Sequence, residues 1–424
     1  MPQSPTTTIR IPKKLKEEAN AIFKELGITM STAVNAFLAT VARSGGIPFD
    51  LVLNETGHGR GGVSEQSRNP KNVTLNQAFR ARRDEFYTQY EDIEKEIRHY
   101  PNKFRGKHVL CNCDDPFESE FFRYFVLNFD DLGLARLTST CFATSPFAGM
   151  DYPLDAEHKR PYLAVVTEVP SGDITMPDGS LDLESIFALD GNSIQLLRGD
   201  GDFRSQECVS LLEESDIVVT NPPFSLFREY ISQLVDHGKD FLVLGNMNAA
   251  TYREVFPLFR ENKLWYGESI RSGDRKFYVP ESYPLNASNC GVDESGRRYI
   301  RVKGVRWFTN LDNARRHEEL KLKSFFTDSR YPMYENYSAI EVGRTIDIPS
   351  DYNELMGVPI TFLDKYNPDQ FEIIMLANGN ARTNVDQRTL EAVGYCPHPE
   401  DRGGVGIVGG QRCYARILIR KRAS

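Results

Sequence analysis

The run Asp216-Ile217-Val218-Val219-Thr220-Asn221-Pro222-Pro223-Phe224 opens with a short β-branched apolar segment and closes on two prolines. Ile-Val-Val-Thr suits a strand buried on both faces, and prolines, which have no N–H to donate, end such a strand. A strand end of this kind is where α/β folds place their ligands.

The residues at that end suit one chemistry. An exocyclic amino group on a base is a poor nucleophile, because its lone pair is delocalised into the ring. The side-chain oxygen of Asn221 and the carbonyl of Pro222 can both accept hydrogen bonds from such an NH₂. This favours a pyramidal nitrogen whose lone pair is free for in-line attack on a sulfonium methyl. Pro222 and Pro223 rigidify the backbone, so the acceptors are organised in advance. Phe224 suits stacking on the flat face of a base flipped out of its duplex. Against this stands a simple Pro-Pro turn with Phe224 in the core, and the surrounding motifs weigh against it.

Upstream, Val109-Leu-Cys-Asn-Cys-Asp114-Asp115-Pro116-Phe-Glu-Ser119 reads as a strand, an acidic turn and the start of a helix, with Ser119 near the helix N-terminus. ARLTSTCFAT (135–144) follows as a second strand, so the segment predicts a βαβ unit. Such a unit holds a nucleotide-like cofactor at its mouth, although the Gly-rich dinucleotide fingerprint is missing. Asp114 and Asp115 can meet cofactor hydroxyls or amines, or can cap the helix. The second strand ends in Thr140-Cys141 without an acid, which leaves the ribose-binding carboxylate open. In Arg198-Gly-Asp200-Gly-Asp202-Phe-Arg-Ser205, two carboxylates in a Gly-loosened loop are candidates for an adenine amino group. Phe86, Tyr87 and Thr88 fall in a helix expected over residues 75–98.

The chain has 424 residues and a formal charge of −8, with 40% hydrophobic residues. No run approaches the roughly 20 apolar residues of a membrane span, and MPQSPTTTIRIPKK has no apolar signal region, so neither membrane nor secretion is expected. Seven cysteines without a regular framework suit a reducing cytoplasm and unligated thiols; no metal is expected. The charge is unevenly spread. Residues 111–220 carry 21 acids and 6 Lys/Arg, a net of −15, which leaves +7 for the rest of a chain whose total is −8. Residues 271–323 hold twelve Lys/Arg against seven acids, with Phe277, Tyr278, Tyr299, Trp307 and Phe308 interleaved. Arg297, Arg298, Arg301, Lys303 and Arg306 are therefore candidates for DNA contact.

Residues 1–53 read as strand, helix, helix. In Thr6–Ile11 (TTTIRI), Thr6, Thr8 and Arg10 share one face. Leu15, Ala19, Ile22 and Leu26 recur at helical spacing, Gly27 ends that helix, and Thr29 opens one carrying Val34, Phe37, Leu38 and Val41. So small a unit cannot bury a core alone and is expected to form a homodimer. Pairing of the strand with its twin would turn Thr6, Thr8 and Arg10 outward as a ribbon that fits the DNA major groove. Residues 54–74, poor in large apolar side chains, read as a flexible linker.

The run IRIPKKLKEEANAIFKELGITMSTAVNAFLATVARSGGIPFDL (9–51) resembles the ribbon-helix-helix domain of RelB/DinJ-type antitoxins. That family carries a toxin-neutralising tail next; a linker follows here, which argues against a toxin partner and leaves dimerisation and DNA binding. DEFYTQYEDIEKEIRHY, KHVLCNCDDPFESEFFRYF, GDGDFRSQECVSLL and DIVVTNPPFSLFREY resemble, in that order, the EcoRI-type adenine-specific DNA methyltransferases. MGVPITFLDKYNPDQFEI (356–373) and CYARILIRKR (413–422) are similar to the same family. The resemblance implies a Rossmann-like α/β methyltransferase fold, S-adenosylmethionine as donor, adenine N6 in double-stranded DNA as acceptor, and a place in restriction–modification. Asn221, Pro222, Pro223 and Phe224 match its catalytic motif, Asp114 and Asp115 its Gly-free cofactor strand, and Phe86, Tyr87 and Thr88 its cofactor segment. It further implies a catalytic domain over 75–265 and a target-recognition and C-terminal part over 266–424.

Two other readings compete. One is a DNA-binding regulator or antitoxin with a vestigial methylase domain, against which the intact Asn-Pro-Pro-Phe speaks. The other keeps the chemistry but acts on ribosomal RNA; the DNA-type N-terminal unit disfavours it.

Overall fold

Ile217–Thr220 does form a strand with every residue buried, and it lies near the centre of the largest sheet. The structure, a computed structural model, describes residues 87–113, 115–117, 119–141, 161–177, 179–279, 285 and 289–422. The unit over 1–53 with Thr6, Thr8 and Arg10, the linker 54–74, Phe86 and Asp114 lie outside the described residues.

In chain order come α1 (Tyr90–Ile97), β1 (His108–Cys111), α2 (Glu120–Leu127), β2 (Arg136–Thr140), β3 (Tyr162–Val166) and β4 (Ser193–Leu196). Next are α3 (Gln206–Glu214), β5 (Ile217–Thr220), α4 (Phe227–Asp236), β6 (Asp240–Asn246), β7 (Trp265–Tyr266) and β8 (Asp274–Tyr278). β9 (Cys290–Val292), β10 (Arg298–Lys303) and β11 (Val305–Thr309) follow. Among the described residues, one eight-stranded sheet has the order β4-β3-β2-β1-β5-β6-β11-β7. β2, β1, β5 and β6 run parallel; β3 is antiparallel to β2, and β11 to β6. The parallel βαβ unit expected from 109–144 is present, with β2 ending at Thr140.

Alternation builds a core on each face. Leu242 and Leu244 of β6 and Val305 and Trp307 of β11 enter one apolar cluster with Phe121, Phe122 and Phe125 of α2. Phe241, Val243 and Phe308 enter the other with Phe227, Tyr230, Ile231 and Leu234 of α4, at the spacing of one buried helical face. Gly245 lets that helix close on the sheet: a Cβ there would collide with the rings of Phe227 and Phe308.

β12 (Ile340–Glu341), β13 (Met356–Pro359), β14 (Phe371–Ala377), β15 (Ile407–Val408), β16 (Gln411–Arg412) and β17 (Arg416–Lys421) complete the chain. The two C-terminal runs singled out in the sequence pair here, β17 lying antiparallel between β13 and β14. Met356, Val358, Ile417 and Ile419 join the α4-side core. No described helix is long and apolar enough to cross a membrane.

Two expectations need correction. The helix expected over 75–98 begins, among the described residues, only at Tyr90; Tyr87 is extended and exchanges backbone hydrogen bonds with Tyr278 of β8 (3.0 and 3.1 Å). The open edge of β8 offered that segment a backbone bridge, and this outweighed helical propensity. The division after residue 265 also cuts through the main sheet, because β11 pairs with both β6 and β7.

Candidate active site

The parallel strands bring their C-terminal ends to one edge. There β5 passes directly into Asn221, which is buried at 8% exposure, and buried Pro222. Pro223 and Phe224 are half-buried, and Leu226 N–H donates to the Pro223 carbonyl (3.0 Å), turning the chain into α4. The Phe224 ring meets Phe277 of β8 edge-on, with centroids 6.5 Å apart.

β1 ends on the same edge. Its exit is clamped from β2: Ser139 Oγ donates to the Cys111 carbonyl and Thr140 Oγ1 to the Asn112 carbonyl, both at 3.2 Å. The helix that follows is capped by Ser119, whose Oγ accepts from Phe121 N–H (3.1 Å). Asp115 is therefore not the cap. Its Oδ1 accepts from Phe117 N–H (2.9 Å) and from the Tyr162 hydroxyl (2.6 Å), and it is buried.

α4 binds these parts together. The Tyr230 hydroxyl donates to Asn112 Oδ1, and Gln233 Nε2 donates to the Phe203 carbonyl at 3.1 Å. Arg204 reaches Glu229 at 2.9 Å. The acidic loop before α3 is thus moored to the helix that begins at the Asn-Pro-Pro-Phe turn. Within it, Arg204 holds both oxygens of Asp202 (2.9 and 2.6 Å), and Asp202 N–H donates to Asp200 Oδ1 (3.0 Å). The Arg204 guanidinium keeps the Asp202 carboxyl below its usual range. Thr88 is buried, and its Oγ1 has no hydrogen-bond partner among the described residues.

The basic segment splits in two. β8, β10 and β9 form a three-stranded antiparallel sheet. Phe277, Ile300 and Val302 face the core, while register places Tyr278 opposite Tyr299 and Lys276 opposite Arg301 on the other face. Arg297, Arg301 and Lys303 are exposed, and Arg298 is half-buried. Arg297 sits 3.7 Å from the Tyr278 ring centroid, and Lys276 Nζ lies 4.7 Å from both Tyr278 and Tyr299. Asp293 accepts from Tyr278 OH (2.9 Å), and hydrogen bonds, foremost from Ser295, hold its carboxyl well below the ordinary value.

Arg306 corrects the sequence reading. It is 4% exposed and its Nε and Nη2 grip Asp364 at 2.8 and 3.1 Å. Arg315, also buried, reaches the same carboxylate at 3.2 Å. Both faces of β11 are covered, and Asp364 receives Arg306, so its guanidinium is committed to a buried ion pair rather than held out to solvent. Tyr162, Tyr230 and Asn112 escaped the sequence reading. Only the tyrosine on the buried stripe of α4 had a local signal, because the partners of all three lie far along the chain.

A mixed sheet whose central strands β2, β1, β5 and β6 run parallel between antiparallel β3 and β11, with Asp115 in the turn after β1 and Asn-Pro-Pro-Phe after β5, is the fold of an S-adenosylmethionine-dependent methyltransferase. The chain belongs to the EcoRI family of adenine-specific methyltransferases: the family model described as "Adenine-specific methyltransferase EcoRI" matches residues 74–422. The RelB antitoxin family model matches residues 6–71, running past the boundary expected at 53. Type II methyltransferase M.EcoRI of Escherichia coli is 45% identical over 334 residues, 78% of this chain and 96% of that protein. Type II methyltransferase M.MpnI of Mycoplasma pneumoniae is 38% identical over 358 residues, 82% of this chain and 98% of that protein. No solved structure matches the chain. The family implies S-adenosylmethionine as methyl donor. Carboxylates, an amide and the buried Thr88 hydroxyl suit its ribose, adenine and amino-acid groups, so the donor set fits.

Proposed function

We propose that this enzyme methylates the exocyclic N6 of adenine in double-stranded DNA, on a base flipped out of the helix. Asn221-Pro222-Pro223-Phe224 at the end of β5, beside the turn after β1, carries the reading. S-adenosylmethionine, when bound, supplies an electrophilic sulfonium methyl. Asn221 Oδ1 and the Pro222 carbonyl accept the two amino hydrogens and leave the nitrogen lone pair directed at that methyl. With the donor bound, the C–N bond would form as the donor's C–S bond breaks and the nitrogen would then shed a proton to solvent, so this chain's residues need supply no strong general base. Phe224, steadied by Phe277, stacks on the extruded base.

Tyr87, Thr88, Asp115, Asp200 and Asp202 serve the cofactor in this reading, together with Phe86 and Asp114. Arg297, Arg298, Arg301 and Lys303 meet the phosphates from the β8–β10 sheet. Residues 1–53 form a homodimer that presents Thr6, Thr8 and Arg10 to DNA. The type II names of the relatives favour a role in restriction–modification.

Labelled methyl from S-adenosylmethionine is expected to appear on unmethylated duplex DNA, with a rate reduced by at least about 100-fold in Asn221→Ala. A variant that retains cofactor and DNA binding and methylates at the wild-type rate would exclude Asn221 from the chemistry. Removal of residues 1–53 is expected to convert a dimer to a monomer by light scattering; a dimer that persists would refute their role.

A further inference from the structure

β3 is antiparallel to β2, so its first residue, Tyr162, arrives at the edge where the parallel strands end. Cys141 N–H, just past β2, donates to the Tyr162 carbonyl at 3.2 Å. The phenol then crosses to the turn after β1: its ring stacks on Phe117, with centroids 5.1 Å apart and planes 25° apart, and its hydroxyl donates to Asp115 Oδ1 at 2.6 Å. Tyr162 and Asp115 are each 6% exposed. A buried carboxylate is costly unless its position and hydrogen bonds are fixed; beside the local bond from Phe117 N–H, Tyr162 supplies one from 47 residues along the chain.

This arrangement answers a vacancy in the sequence. The end of β2 offers Thr140 and Cys141, neither of which can accept a pair of hydrogen bonds from a vicinal diol as a carboxylate can. β1 lies beside β2 in register up to Cys111 opposite Ser139, and Tyr162, whose backbone holds Cys141 and whose hydroxyl holds Asp115, links the turn after β1 to that gap.

We infer that Asp115 takes the ribose hydroxyls of the cofactor in place of an acid at the end of β2, and that Tyr162 is the positioning residue that aims its carboxylate. The inference rests on the cofactor site proposed above. Tyr162→Phe keeps the ring and its stacking on Phe117 and removes only the hydroxyl.

The test is calorimetric binding, on the full chain without DNA, of S-adenosylhomocysteine and of its 3′-deoxyribose analogue. Wild-type protein is expected to bind S-adenosylhomocysteine and to prefer it clearly over the analogue. Tyr162→Phe should weaken S-adenosylhomocysteine by about 3- to 10-fold, the usual reach of one hydrogen bond, and the analogue far less. Asp115→Asn should nearly erase the preference between the two ligands. This preference is a ratio within one protein, so partial misfolding of a variant does not mimic it. Equal losses for both ligands in Tyr162→Phe would reduce the hydroxyl to a structural brace and overturn the inference. So would an unchanged preference in Asp115→Asn. Failure of wild-type protein to bind S-adenosylhomocysteine at all would overturn the cofactor site itself, and the inference with it.

Discussion

β10 and β11 are consecutive strands joined through Gly304, and both carry arginine, yet their basic side chains do opposite things. Gly304 sits at φ 72°, where a side chain would be strained and would crowd Met247. The turn it permits moves the chain from the small sheet into the large one. On β10, Arg301 and Lys303 stand in solvent on the face that also carries Tyr278, Tyr299 and Lys276. On β11, Arg306 is buried against Asp364, and burial lowers the pKa of its neighbour Arg315 despite the attraction of the same carboxylate. Formal charge in a sequence does not distinguish a group that meets a phosphate from one that closes a core. What packs over the strand does: both faces of β11 are covered, whereas one face of β10 is open.

The contrast can be broken most forcefully at Arg306. Arg306→Ala leaves the Asp364 carboxylate short of its closest partner in a buried site, and should cost about 3–5 kcal/mol of stability in chemical denaturation. A variant of normal stability that had lost only DNA affinity would return Arg306 to the DNA-facing set. Arg301→Ala sharpens the other side. Stability should stay within about 0.5 kcal/mol of wild type, while the slope of log affinity for duplex DNA against log salt should shrink by about 1. An unchanged slope would remove Arg301 from the phosphate contacts.

Asp202 with Arg204 lies between these extremes, with side chains 21% and 49% exposed. Asp202→Asn should cost no more than about 1 kcal/mol. The guanidinium holds the Asp202 carboxyl below its usual value, so the contribution of the pair is present above about pH 4 and lost as pH falls through the lowered pKa. The stability gap between wild type and Asp202→Asn should therefore close in acid. A gap that stayed constant to low pH would assign the loss to packing instead.

Much of the site was legible because it is local. The strand, turn and helix around Ser119 and the strand running into Asn221 are runs of consecutive residues, and their hydrogen-bond needs are written within about ten positions. The extended path at Tyr87 was misread because what decides it is an edge strand nearly two hundred residues away, which local propensity does not sense. Arg306 was misread for the same reason: Asp364 lies 58 residues further on.

By itself the sequence determined the class of fold, the family and the uneven spread of charge, acidic over 111–220 and basic in the remainder. These follow from residue type and short-range order, which survive without coordinates. Only the tertiary structure decided which charges are buried, that α4 moors both the Asn112 turn and the acidic loop, and that an antiparallel β3 delivers Tyr162 to Asp115. Each is a meeting of side chains distant in sequence, and such meetings are set by strand direction and facing, which only the packed sheet fixes.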